Sequence, residues 1–207
     1  MSKVEFDKKC RLLIIGDSQV GKTSFLSRYT KGVFNLTYLS TAGIEFFSKD
    51  EIINNRKIRI ELWDTAGSEK FFSLTSNFLG NAQGIMVMFD VTNIDSFESL
   101  INWTDSIKTH LSNGIENIPV IIIGNKIDIK EREIKSIEAN KYCNDLGFKY
   151  FETSAKTGEN VRDTIIYLVK EVLKKISDEK KNIGEKGNNE GKKTHRQNEG
   201  NCECVII

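Results

Sequence analysis

The chain has 207 residues, 39% of them hydrophobic, and 30 basic against 29 acidic side chains leave a formal charge of +1. That composition suits one well-buried domain with an appendage, and so small a net charge, with basic residues scattered among acids, argues against a nucleic-acid partner. No run approaches the roughly 18 apolar residues of a membrane helix, and the opening MSKVEFDKKC lacks the apolar stretch of a signal peptide, so a cytosolic chain is expected.

Along the chain, RLLIIG (11–16), GIMVMFD (84–90), VIIIGN (120–125) and KYFETSA (149–155) are apolar runs too short for core helices. They predict buried strands. Between residues 44 and 63, IEFFSKDEIINNRKIRIELW alternates on either side of Asn54-Asn55, which predicts a hairpin and one antiparallel pair at a sheet edge. Phe97, Leu100, Ile101, Ile107 and Leu111 recur at helical spacing, as do Val161, Ile165, Val169, Val172 and Ile176. Trp103 and the aromatics of these helices are expected in core packing, and Cys10 and Cys143 as small core residues. Pro119 marks the entry into a strand. Strands alternating with helical segments predict an α/β fold: a six-stranded, mostly parallel sheet with one antiparallel edge pair and helices on both faces. From Asp178 onward, DEKKNIGEKGNNEGKKTHRQNEGN holds one apolar residue among Gly, Asn and mixed charge, the composition of a flexible tether. The expected division is therefore a folded domain over 1–177 and a tail over 178–207.

The segment GDSQVGKT (16–23) follows the first strand and opens a helical stretch, the context that gives the spacing G-x-x-x-x-G-K-[ST] its meaning. Backbone N–H groups of Asp17, Ser18, Gln19, Val20, Gly21, Lys22, Thr23 and the following Ser24 would wrap a polyphosphate at a helix N-terminus. Lys22 would contact the β and γ oxygens, and Thr23 would give its hydroxyl to Mg²⁺. If position 19 needs a positive φ, Gln19 carries strain there.

GNKID (124–128) and TSAK (153–156) fall at strand ends. The carboxylate of Asp128 can accept two hydrogen bonds from the N1–H and exocyclic amine of guanine, a donor pair that adenine lacks. Asn125 can brace the loop, Lys126 can cover the ring, and the Ala155 N–H, between Ser154 and Lys156, can meet the guanine O6.

With these three strings in this order, the sequence resembles the Ras superfamily of small GTPases, and within it the Rab family of vesicle-traffic regulators, over nearly its whole length. The resemblance implies a P-loop NTPase small G domain that binds GTP or GDP with Mg²⁺. It implies that Thr41 binds Mg²⁺ when a γ-phosphate is present, that Phe34 packs against the guanine, and that Asp64 holds Mg²⁺ through water. The Gly67 N–H, in DTAG (64–67), would sense the γ-phosphate, and hydrolysis would release two loops that the γ-phosphate orders. STAGIEF (40–46), LWDTAG (62–67) and LTSNFLGNAQG (74–84) look like Rab signatures. Phe46, Trp63 and Phe78 match the exposed aromatic triad of that family, which reads effectors; without the resemblance they read as a satellite of the core. Ala42 stands where isoleucine is usual, and EKFFSLT replaces a more basic stretch. Partners implied are an exchange factor, a GTPase-activating protein, escort and dissociation-inhibitor proteins and effectors, acting on a monomer at the cytoplasmic face of endomembranes.

By the same resemblance, Ser68 occupies a position that in the family is normally glutamine, whose amide orients the attacking water. Serine is too short to span that gap, so intrinsic hydrolysis is expected to fall on the order of 10²-fold. Lys22, Gly67 and Ser68 are the expected catalytic positions. Alternatively Ser68 is a tolerated loop residue, because Rab-type activating proteins supply both an arginine and a glutamine in trans. A pseudo-GTPase that cycles by exchange alone is the main rival, and a P-loop kinase or ATPase is disfavoured by NKID. The closing NCECVII places Cys204 in a C-a-a-X prenylation box with Cys202 two residues before it. The tether is not polybasic, so one lipid would hold a membrane only reversibly, whereas lipids on both cysteines would anchor it; unmodified tail thiols are the alternative.

Overall fold

The computed structural model describes residues 6–35, 41, 43–65, 78–111 and 118–190, with backbone alone from 180. Strand β1 spans Lys8–Ile15, β2 Ile44–Ile53, β3 Arg56–Thr65, β4 Gly84–Asp90, β5 Val120–Asn125 and β6 Lys149–Thr153. They form one six-stranded sheet in the order β2-β3-β1-β4-β5-β6. β2 pairs antiparallel with β3 at the edge, and the other neighbours are parallel. The turn joining β2 and β3 has positive φ at both Asn54 (52°) and Asn55 (58°), the backbone that a two-residue hairpin needs to match strand twist.

Among the described residues the helices are α1 Lys22–Lys31, α2 Ile94–Glu98, α3 Leu100–His110, α4 Ser136–Asp145 and α5 Val161–Glu190. Side chains alternate across β1. Leu13 and Ile15 join Ile85, Val87 and Phe89 in a buried cluster with Phe97, Leu100, Trp103 and Ile107 of α2 and α3. On the opposite face the sheet meets α5 so closely that a Cβ on Gly84 would lie 2.9 Å from both Leu12 Cδ2 and Val172 Cγ2. Every residue of β4 is buried, which explains why its sequence is continuously apolar.

Two expectations need correction. The segment expected as one helix around Phe97–Leu111 is two, α2 and α3, joined through Ser99 alone, which keeps helical φ and ψ (−63°, −15°), donates its N–H to Asp95 and accepts from the Trp103 N–H. Ile101, expected on the buried stripe, is 40% exposed. Cys10 and Cys143 are fully buried, and burial pushes both thiols up to about 12. The chain divides into two compact units, Met1–Leu173 and Lys174–Ile207. α5 continues past residue 177 to Glu190; DEKK (178–181) suits a helix already nucleated, whereas NIGEKGNNE (182–190), with two Gly and three Asn, has no helix-favouring composition to explain the rest.

Parallel pairing brings the carboxyl ends of the strands together. Ile14 is level with Asp64, Asp90 with Asn125, and Asn125 with Thr153. The strand order reverses at β1, and open α/β sheets bind ligands at such a point.

Candidate functional site

Residues 16–21 turn from β1 into α1, and two glycines make the turn possible. Gly16 has φ 137° and sits where any Cβ would overlap the Met88 carbonyl. Gly21 has φ 100° and lies against the Asn125 side-chain amide with equally little room. Gln19 has φ 65°, a left-handed conformation that costs a side-chain-bearing residue about 1 kcal/mol or more. Lys22 is 6% exposed, and its ammonium donates to the Gly16 carbonyl at 2.8 Å and the Asp17 carbonyl at 2.7 Å. Burial lowers its pKa to about 8, opposed by Asp64 and Asp17. An ammonium has three N–H donors, so one remains to meet an anion at the mouth of the turn. The Asp17 carboxylate is itself oriented by the Trp103 indole N–H at 2.7 Å.

At the start of α1 the Thr23 hydroxyl donates to Asp64 Oδ2 at 2.5 Å and lies 2.9 Å from the Thr41 hydroxyl. Asp64 is fully buried at the end of β3, yet its Oδ1 has no hydrogen-bond partner among the described residues. Desolvation raises the Asp64 carboxyl to about 6, with Thr23 and Lys22 opposing and Glu45 adding to the rise. A buried carboxylate with an orphan oxygen beside two hydroxyls suits a hard divalent cation. No cluster of three His, Cys, Asp or Glu side chains forms among the described residues. One carboxylate and two hydroxyls, all oxygen donors, fit Mg²⁺, which is held by a few protein oxygens together with substrate phosphates.

The other end of the edge is organised by Asn125, which is 1% exposed. Its amide donates to the Val20 carbonyl at 2.9 Å. Its oxygen accepts from the Ala155 N–H at 3.1 Å and the Thr153 hydroxyl at 3.2 Å. The Ala155 N–H, expected toward a base, is thus engaged by Asn125. Ser154 donates its hydroxyl to Asp128 Oδ1 at 2.6 Å, and Lys156 lies 3.6 Å from Asp128 Oδ2. Lys126, at φ 71°, pairs with Asp90 at 2.6 Å instead of standing free over the site. A cavity of about 160 Å³ lies between residues 17–20, Asp90 and Lys126.

Ser18 and Ser24 flank this constellation, and Phe34 is half-buried shortly after α1. Gly67, Ser68, Cys202 and Cys204 lie outside the described residues, as do Ala42 and EKFFSLT. Phe46 and Trp63 face each other across β2 and β3, and the Trp63 ring meets Phe78 edge-on at 5.1 Å. Phe46 is 57% exposed, while Trp63 and Phe78 also pack against the core cluster. The structure brings this triad together. Asp90, Trp103 and Arg28, which contact the site's loops, are absent from the sequence expectations or read there as core. None carries a local motif that would reveal it.

The family model described as "Ras family" matches residues 11–174. The chain is similar to the Ras-related protein Rab-3C of Bos taurus, at 38% identity over 98% of this chain and 90% of that protein. It is also similar to the Ras-related protein Rab-8B of Homo sapiens, at 38% identity over 83% of this chain and 82% of that protein. A third relative is the Ras-related protein Rab-13 of Bos taurus, at 39% over 82% and 83%.

Proposed function

The chain belongs to the Ras family, and within it to the Rab small GTPases, and on that premise we propose that it is a slow, membrane-anchored GTP/GDP switch in vesicle traffic. The observation that carries the reading is the position of Asn125, which ties the loop after β1 to the loop after β6 beside an oriented Asp128. Phosphates would meet the N–H groups of residues 17–24 and the ammonium of Lys22, with Phe34 and Lys126 against the base. Asp128 would read the guanine N1–H and amine, supported by Ser154, Ala155 and Lys156. Thr23, Thr41 and Asp64, the last through water, would hold Mg²⁺, which neutralises phosphate charge when bound.

The Gly67 N–H would sense the γ-phosphate, and Ser68 in place of glutamine would leave the attacking water poorly oriented, so the GTP state persists. Phe46, Trp63 and Phe78 would present the surface that effectors read. Exchange factors, activating proteins and dissociation inhibitors would act on a monomeric domain of 1–177. The tail would attach it to the cytoplasmic face of endomembranes through prenyl groups on Cys202 and Cys204.

One further reading has its own support: Ser68 favours a guanine-nucleotide-binding pseudo-GTPase controlled by exchange. Single-turnover hydrolysis of bound GTP with excess Mg²⁺, run beside mantGTP binding and competition by GTP and ATP, tests both. Slow phosphate release with GTP-selective binding supports the switch. Tight GTP binding without release, even with candidate activating proteins, supports the pseudo-GTPase, and equal competition by ATP would remove the guanine reading.

A further inference from the structure

One arginine on α1 holds two distant pieces of backbone. Arg28 Nη1 donates to the Gly32 carbonyl at 2.8 Å, where α1 ends with Gly32 at φ 72°. Its Nε donates to the Ala155 carbonyl at 2.9 Å, and its Nη2 to the Lys156 carbonyl at 2.5 Å. Residues 154–156 are the stretch whose opposite side faces the site: Ser154 orients Asp128, and the Ala155 N–H meets Asn125. Arg28 therefore holds through its carbonyls the same loop that Asn125 and Asp128 meet through the Ala155 N–H and the Ser154 hydroxyl.

We propose that Arg28 is a positioning residue for the base: by tying the 154–156 loop to the end of α1, it slows release of guanine nucleotide. This rests on the nucleotide reading given above. A planar guanidinium can reach three carbonyls at once with little loss of freedom per bond. A lysine ammonium is a point donor and cannot reproduce that fork. The Gly32 carbonyl also precedes Val33 and Phe34, so the same side chain sets where the chain leaves α1 on its way to Thr41.

The test is mantGDP release from the full chain, chased with unlabelled GDP. Arg28→Ala is expected to release about tenfold faster than wild type, and Arg28→Lys to fall between the two. Arg162→Ala, which removes the 2.8 Å pair with Glu51 but no bond to the 154–156 loop, should release at the wild-type rate. The factor by which EDTA accelerates release should stay at its wild-type value in Arg28→Ala and Arg28→Lys, because Thr23 and Asp64 are not among the groups Arg28 holds. Wild-type release in both Arg28 variants overturns the proposal. So does a collapse of the EDTA factor along with the rate, which would mark general loosening of the site. A wild-type chain that binds no mantGDP overturns the nucleotide reading, and this inference with it.

Discussion

The Asn125 amide donates to the Val20 carbonyl at 2.9 Å across 105 residues of sequence, while its oxygen accepts from Ala155 and Thr153. Removing this fully buried hub strands one carbonyl, one N–H and one hydroxyl together. Asn125→Ala is expected to cost about 3 kcal/mol in urea unfolding and to weaken nucleotide binding. Asn125→Asp keeps the shape but cannot donate to Val20, so it should also destabilise. Unfolding midpoints of both variants at the wild-type value would show that the hub contributes nothing.

The unpartnered Oδ1 of buried Asp64 predicts a linkage between cation and nucleotide. Chelating Mg²⁺ should speed mantGDP release from wild type on the order of tenfold. Asp64→Ala should narrow the difference between release with and without Mg²⁺, since it leaves only the Thr23 and Thr41 hydroxyls to couple the ion to the protein. A persistent Mg²⁺ effect of wild-type size in Asp64→Ala would place the ion elsewhere.

Acid should find a weak point near the carboxyl end of β6. Burial works against the Glu152 carboxylate, but Arg132 at 2.6 Å and the Tyr150 hydroxyl at 2.9 Å outweigh it and hold the group below its usual 4.5. A carboxyl depressed in the folded state contributes stability that is fully present above the unfolded value and is lost as pH falls through the folded one. Thermal midpoints of wild type should therefore hold steady in this respect down to about pH 5 and then decline. Glu152→Gln should start lower at pH 7 and lose less between pH 5 and pH 3.5. Parallel curves for the two proteins would rule Glu152 out as a source of the acid sensitivity.

The strands are legible because burial on both faces leaves no room for polar residues, as in β4, and because Asn54-Asn55 is suited to a turn of positive φ. α4 escapes notice because only Ala139 and Cys143 are buried on it, too few to make an apolar stripe. The division between α2 and α3 leaves the hydrophobic period intact, because Ser99 between them stays helical, while the start of α2 is fixed by the Asn93 cap and by the Asp90 N–H donating to the Ser96 hydroxyl. In the site, contiguous strings such as GDSQVGKT and NKID are visible because one loop supplies many contacts. Arg28 and Trp103 are not, because each works on a loop 86 or more residues away through a single side chain. Lys126 shows the converse, a motif residue whose partner, Asp90, no motif names.

Position 68 separates the switch from the pseudo-GTPase. If hydrolysis is limited by a poorly oriented water, supplying an amide of the right length restores a transition-state donor without touching the phosphate or base contacts. Ser68→Gln should therefore raise single-turnover hydrolysis on the order of 10²-fold while leaving mantGDP release unchanged. The two readouts divide the possible causes: a change in both would point to rearrangement of the nucleotide site. An unchanged hydrolysis rate would mean that the serine is not what limits the reaction. Control would then lie with exchange, or with an activating protein that brings its own glutamine.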